Sequence, residues 1–141
     1  MNTPGQIYRP DFPRFGLTQF VDRFPDLSAD WQVSCEGDVA SPQPLTAAAL
    51  SELERVEITR DFHCVTTWSV ADQTWSGWRF RDVYEQWIQP NVKPKAGATQ
   101  LILRALDGFR TRMLLEDALA EDVLLADTLN GKPLDRTHGA P

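Results

Sequence analysis

The chain has 141 residues, 42% hydrophobic and 10% aromatic, enough for one globular domain that hides roughly 70% of its unfolded surface without a disulfide framework or structural metal. Its two cysteines, Cys35 and Cys64, are too few for a secreted disulfide scaffold, so a reducing cytoplasm is the simplest home; a signal preceding this numbering would instead send the chain to the periplasm. Fourteen Lys and Arg against twenty Asp and Glu leave a net charge of −6, the wrong sign for a nucleic-acid binder, and no run approaches the ~18 apolar residues of a membrane span.

Residues 1–30 are rich in proline and aromatics (Tyr8, Pro10, Phe12, Pro13, Phe15, Phe20, Phe24, Pro25), too apolar for a solvated tail and too broken for a helix, which predicts an extended arm packed over the domain. Trp31 to Cys35 alternates apolar and polar before Gly37, the pattern of a strand with Trp31, Val33 and Cys35 facing inward. Thr46 is placed to cap a short helix running through Glu54, with Leu45 and Leu50 at the spacing of a hydrophobic staple. Val56 to Arg60 returns to period two and leads into Asp61-Phe-His-Cys64, so Cys64 falls at or just beyond a strand's C-terminal end.

Val65 to Trp78 holds three tryptophans and no clean period, and predicts a long, hydroxyl-rich loop. From Phe80 the period becomes 3.6, with Phe80, Val83, Tyr84, Trp87 and Ile88 on one stripe, a helix ending before Pro90. Leu101 to Arg104, Asp107-Gly108 and Phe109 to Met113 read as a β-hairpin that puts Arg110 and Arg112 on one face. Leu115 and Leu119 predict a helical turn or two, Val123 to Ala126 a strand, and Asn130-Gly131 a second hairpin turn. No repeat or linker divides the chain, so residues 1–141 read as a single domain.

Cys64 is the residue whose setting points to chemistry. A lone cysteine is usually a small core residue, which is the reading for Cys35; Cys64 instead sits beside His63 at a strand end, opening a polar segment, where a thiolate could act as nucleophile or soft metal ligand. Two histidines, His63 and His138, and two cysteines 29 positions apart offer no zinc spacing. A Cys64–His138 nucleophile–base pair is chemically allowed but lacks a motif for an orienting group or oxyanion hole. There is no Walker loop and no G-x-G-x-x-G.

The string Asp61-Phe-His-Cys64-Val-Thr-Thr-Trp68-Ser69, followed by Trp75-Ser-Gly77 and an amphipathic segment, resembles the cysteine-bearing signature of the molybdopterin-binding domain of the sulfite oxidase superfamily, most closely its small bacterial single-domain members. Pro13-Arg-Phe-Gly16, Asp107-Gly108 with Leu114-Leu-Glu-Asp117, and Leu129-Asn-Gly-Lys-Pro-Leu134 leading into His138-Gly-Ala-Pro141 follow in the family order, so the likeness covers nearly the whole chain.

The resemblance implies an α+β fold of mixed β-sheets and a few short helices, and a mononuclear molybdenum held by one molybdopterin and by Cys64. A soft thiolate suits a high-valent metal that cycles by two electrons while exchanging oxygen. By this resemblance His138 matches a histidine, asparagine in other branches, that lies against the pterin, Arg14 and Phe15 match an arm segment near it, and His63 and Thr66, which flank the ligand, could face the same cofactor. Against the family pattern the domain is expected to be cut short after Pro141, before an arginine-bearing strand and a segment that grips the molybdopterin phosphate. The expected function is a molybdenum-dependent oxidoreductase catalysing oxygen-atom transfer, sulfite oxidase-like or sulfoxide reductase-like, with a small-molecule oxo acceptor or donor. No haem C-x-x-C-H motif is present, so the electrons are expected to pass to or from a separate redox protein. Arg79, Arg81, Arg104, Arg110 and Arg112 are candidate anion ligands. The alternative is a truncated relative that binds no cofactor and serves as an interaction module.

Overall fold

A computed structural model describes residues 3–13, 19–26 and 29–138. In chain order its elements are β1 (Ile7–Tyr8), β2 (Gln32–Cys35), β3 (Gln43–Thr46), α1 (Ala47–Ser51), β4 (Val56–His63), β5 (Trp68–Arg79), α2 (Phe80–Val83) running into a π-helical stretch (Tyr84–Val92), β6 (Gln100–Arg104), β7 (Arg110–Leu114), α3 (Leu115–Ala118), β8 (Leu124–Leu129) and β9 (Lys132–Pro133). The fold is α+β, with mixed sheets and few, short helices, as expected.

The five-stranded sheet is organised around β5. β4 lies antiparallel along one side of it, from Val56 opposite Gly77 to His63 opposite Ser69. The other side takes β1 in parallel at Trp68 and Ser69 and β8 antiparallel from Trp75 to Arg79, while β9 folds back on the end of β8. The sequence expectation of a long loop from Val65 to Trp78 is therefore corrected: most of it is the central strand. Period two was hidden because β5 carries a bulge: between Val70 and Gln73 it holds one residue more than β4 does between Arg60 and Phe62, which reverses the phase of its alternation, while a second register shift, at Ser76/Gly77, takes its extra residue from β8 at Asp127. Asp72, at φ 54°, lies in the first of these bulges, and Ser69, Val70, Gln73, Gly77 and Trp78 are all buried, as in a strand covered on both faces.

The core gathers Leu45, Leu50, Trp78 and Val83, with Trp31, Cys35, Trp87, Ile88 and Leu125 packed around it. Thr46 caps α1 as read, its hydroxyl accepting from the Ala49 N–H at 3.2 Å, and the staple residues Leu45 and Leu50 are both buried. The helix stops at Ser51 rather than Glu54; Ser51 donates back to the Ala48 carbonyl at 2.6 Å, a bond that competes with helix propagation. Val33 departs from expectation too and is 43% exposed, since β2 pairs on one side only and the core reaches it at its ends, Trp31 and Cys35.

The helix from Phe80 keeps its stripe, with Val83 and Tyr84 buried, but it does not end before Pro90. Proline has no N–H to give and its ring crowds the carbonyl four residues back, so an α-register cannot pass through it. The chain instead widens to a π-helix that carries Pro90 inside, and closes at Lys93, whose N–H reaches the Ile88 carbonyl at 3.2 Å with φ 56°. Both predicted hairpins form: β6 pairs β7 across Asp107-Gly108, and β8 pairs β9 across Asn130-Gly131, whose φ values of 51° and 75° fit a type I′ turn. No helix among the described residues is long and apolar enough to cross a membrane.

Candidate active site

Cys64 stands where β4 turns into β5. Its N–H donates to the Trp68 carbonyl at 2.9 Å, and its own carbonyl accepts from the Thr67 N–H at 3.1 Å, while Thr67 takes φ 70°. This is a three-residue hairpin loop closed by a left-handed residue. It lifts Val65 to 93% exposure and leaves the Cys64 thiol half-buried, with its sulfur 3.1 Å from the Thr66 hydroxyl.

The arm fastens the loop from one side of the sheet. Gln6 donates through Nε2 to the Cys64 carbonyl at 3.3 Å and accepts through Oε1 from the Ser69 hydroxyl at 3.1 Å. Because that hydroxyl spends its proton on Gln6, it can only accept from His63 Nδ1, 2.7 Å away. Ser69 is fully buried, so this chain of bonds is shielded from competing water. Next to it, the Tyr8 hydroxyl donates to Asp61 at 2.8 Å. The Asp72 N–H, and after it this hydroxyl, hold the Asp61 carboxyl below the usual carboxylate range; the same bond raises Tyr8 above the ordinary phenol value.

An aromatic cluster forms around Phe12. The Phe12 ring meets Phe62 at 4.9 Å, stands edge-on to Trp68 at 5.9 Å and lies 6.0 Å from Trp75. His138 completes the group, 4.9 Å edge-on from Phe12, with Nε2 donating to the Phe12 carbonyl at 3.3 Å. Its Nδ1 faces Thr137 at 2.9 Å and Asp135 at 3.2 Å. Bonds from the Thr137 hydroxyl and N–H keep the Asp135 carboxyl below its usual range.

Of the residues singled out from sequence, Cys64 and Thr66 are in direct contact, His63 reaches the Cys64 loop through Ser69 and Gln6, and His138 packs on the arm. Arg14 and Phe15 lie outside the described residues. The candidate arginines divide: Arg79 and Arg81, with Arg60, line a groove of about 550 Å³ that also carries Asp82, Glu121 and Asp122, while Arg104, Arg110 and Arg112 sit on the β6–β7 hairpin. Cys35 is the structural thiol expected, half-buried against the core, and burial pushes its pKa up. Sequence reasoning missed Gln6, Ser69 and the Tyr8–Asp61 bond. Ser69 closes the quoted signature string, but its bond to Gln6 spans 63 positions, a separation no local pattern reveals.

Residues 21–141 match the family described as the oxidoreductase molybdopterin binding domain. The chain belongs to that family. Among its relatives, the uncharacterized oxidoreductase YuiH of Bacillus subtilis (strain 168) is 37% identical over 138 residues, which cover 98% of this chain and 66% of that one. The solved structure of the sulfane dehydrogenase SoxCD from Paracoccus pantotrophus superposes with a TM-score of 0.64 at 16% identity, over 81% of this chain and 33% of that one, and shows a shared fold. The chain thus spans less than two thirds of the length of either protein.

The donor set suits a molybdopterin-type group. Among the described residues, no three His, Cys, Asp or Glu side chains come together to hold a metal ion. A single half-exposed sulfur at a hairpin loop fits a metal that brings its remaining ligands with it, as a dithiolene-bound metal does, and does not fit one caged by protein alone.

Proposed function

We propose that this domain catalyses oxygen-atom transfer at a mononuclear molybdenum held by molybdopterin and by the Cys64 thiolate, in a sulfite oxidase-like or sulfoxide reductase-like reaction. The observation that carries the reading is the placement of Cys64: the thiol of a molybdopterin-binding oxidoreductase domain, set at a strand end on a loop pinned by the arm, with one side open. When bound, the metal group supplies two-electron chemistry coupled to gain or loss of oxygen, which no side chain can supply.

The chain's own residues hold and orient. The Thr66 hydroxyl, 3.1 Å from the sulfur, donates to the thiolate and stabilises its charge. Gln6 keeps the Cys64 carbonyl turned toward the arm, which fixes the direction of the Cα–Cβ bond and so of the sulfur. His63, His138, Arg14 and Phe15 are the further cofactor-side residues of this reading, and the cluster around Phe12 excludes water beside His138. A small-molecule oxo acceptor or donor and a separate redox protein complete the reaction.

The test is metal content. Protein produced with abundant molybdopterin is expected to carry about one molybdenum per chain by plasma mass spectrometry, and Cys64→Ser to lose it while keeping its far-ultraviolet circular dichroism. Wild-type protein that stays metal-free under those conditions overturns the reading in favour of a cofactor-free interaction module.

A further inference from the structure

Among the described residues, five of the nine exposed large apolar side chains lie on the β6–β7 hairpin and its turn: Ile102, Leu103, Leu106, Phe109 and Leu114. The register places Gln100 opposite Leu114, Ile102 opposite Arg112 and Arg104 opposite Arg110, so these six side chains share one face. All six are exposed, with Ile102 at 62% and Leu114 at 43%. A two-stranded sheet is marginal unless a face is covered, and like charges directly opposite one another weaken it further. Glu36 answers Arg104 at 3.2 Å; among the described residues Arg110 and Arg112 have no ion pair, and neither do Glu116 and Asp117 at the start of α3.

The order of these groups along the chain selects the partner. From β7 into α3 the charged and large apolar side chains among the exposed ones run Arg110, Arg112, Leu114, Glu116, Asp117: two positive, one apolar, two negative. A purely acidic partner would meet the carboxylates as well as the arginines. A second copy turned end for end meets each charge with its opposite and each apolar group with another, which is the self-complementarity that a two-fold interface requires. We propose that the β6–β7 face with the start of α3 is a homodimer interface, Ile102 and Leu114 packing across the two-fold axis and Arg110 and Arg112 pairing with Glu116 and Asp117 of the second copy.

Sedimentation velocity across a concentration series tests this on the purified protein, with circular dichroism confirming that each variant is folded. The expected result is a concentration-dependent dimer weakened about tenfold or more by Arg112→Glu, by Glu116→Arg and by Ile102→Asp. Since each reversal breaks two symmetric pairs, the double variant Arg112→Glu/Glu116→Arg is expected to recover dimerisation, as is an equimolar mixture of the two single variants in part. A monomer at all concentrations up to several hundred micromolar overturns the proposal, as does a dimer that all three single substitutions leave unchanged, because that dimer would use another face.

Discussion

Gly77 sits near the C-terminal end of β5, at the second register shift, against the backbone of β8. A Cβ built on it lands inside the van der Waals envelope of the Leu125 carbonyl oxygen and 2.8 Å from the Ala126 Cα, and both obstacles are backbone, which cannot rotate aside. In an unobstructed strand, replacing Gly by Ala stabilises, because the unfolded chain loses freedom. Here Gly77→Ala must push β8 away from β5: overpacking costs about 1–3 kcal/mol and each weakened ladder bond about 1 kcal/mol more, for a total near 3–5 kcal/mol. For a domain of this size each kcal/mol moves Tm by about 2–4 °C, so Tm falls by roughly 10 °C. Thermal melts and denaturant titrations of Gly77→Ala beside Gly97→Ala measure it, Gly97 being a site where a Cβ meets nothing within 4 Å. If Gly77→Ala melts with the wild type while Gly97→Ala behaves as a neutral control, the close approach of β5 and β8 is wrong, and with it the central position of β5.

Leu50 is completely buried in the main core, and Leu50→Ala is expected to cost about 2–5 kcal/mol in urea titrations. Thr46→Ala removes the cap on the Ala49 N–H and is expected to cost about 1 kcal/mol, with Thr46→Ser close to wild type in the same assay. Asp127 receives two hydrogen bonds from the Arg55 guanidinium, at 2.6 and 2.9 Å, which hold its carboxyl below the usual range. A carboxyl depressed in the folded state stabilises at pH above its unfolded value near 3.9 and ceases to as pH falls through its folded value. Solvent screens this partly exposed pair to about 1 kcal/mol or less, so Asp127→Asn should flatten the pH dependence of Tm on the acid side of about pH 5 and leave it parallel to wild type near pH 7.

The elements most legible in the sequence were those whose signals are local. Thr46 with Leu45 and Leu50 announces a capped helix because all of its determinants lie within five positions. Asp107-Gly108 and Asn130-Gly131 announce hairpins because the turn geometry is a property of the turn residues, and both form as read. β5 was illegible for the converse reason. Its twelve residues are strand only because β4, β1 and β8 supply hydrogen-bond partners from three other parts of the chain, and the bulge between Val70 and Gln73 breaks the alternation. The site divides in the same way. Cys64 and Thr66 are two positions apart and their contact follows from the loop, whereas Gln6 and Phe12 reach the site through tertiary packing alone.

That division has a mechanical consequence. The Cys64 loop is short and closed by its own backbone bonds, so its shape is local; its orientation is not. On one side it is tied to Gln6, and the strand entering it carries Phe62 against Phe12, which in turn packs on His138, 126 positions further along the chain. Residues near both ends of the described chain therefore converge on a single hairpin. Loosening the arm should expose the thiol without unfolding the sheet, since β4 and β5 are paired along most of their length independently of it. Gln6→Ala, which removes the link from the arm to the Cys64 carbonyl and to Ser69, should accordingly raise the alkylation rate of Cys64 by iodoacetamide several-fold while Tm falls by only a few degrees. Equal rates in Gln6→Ala and wild type would mean that the arm does not hold the loop.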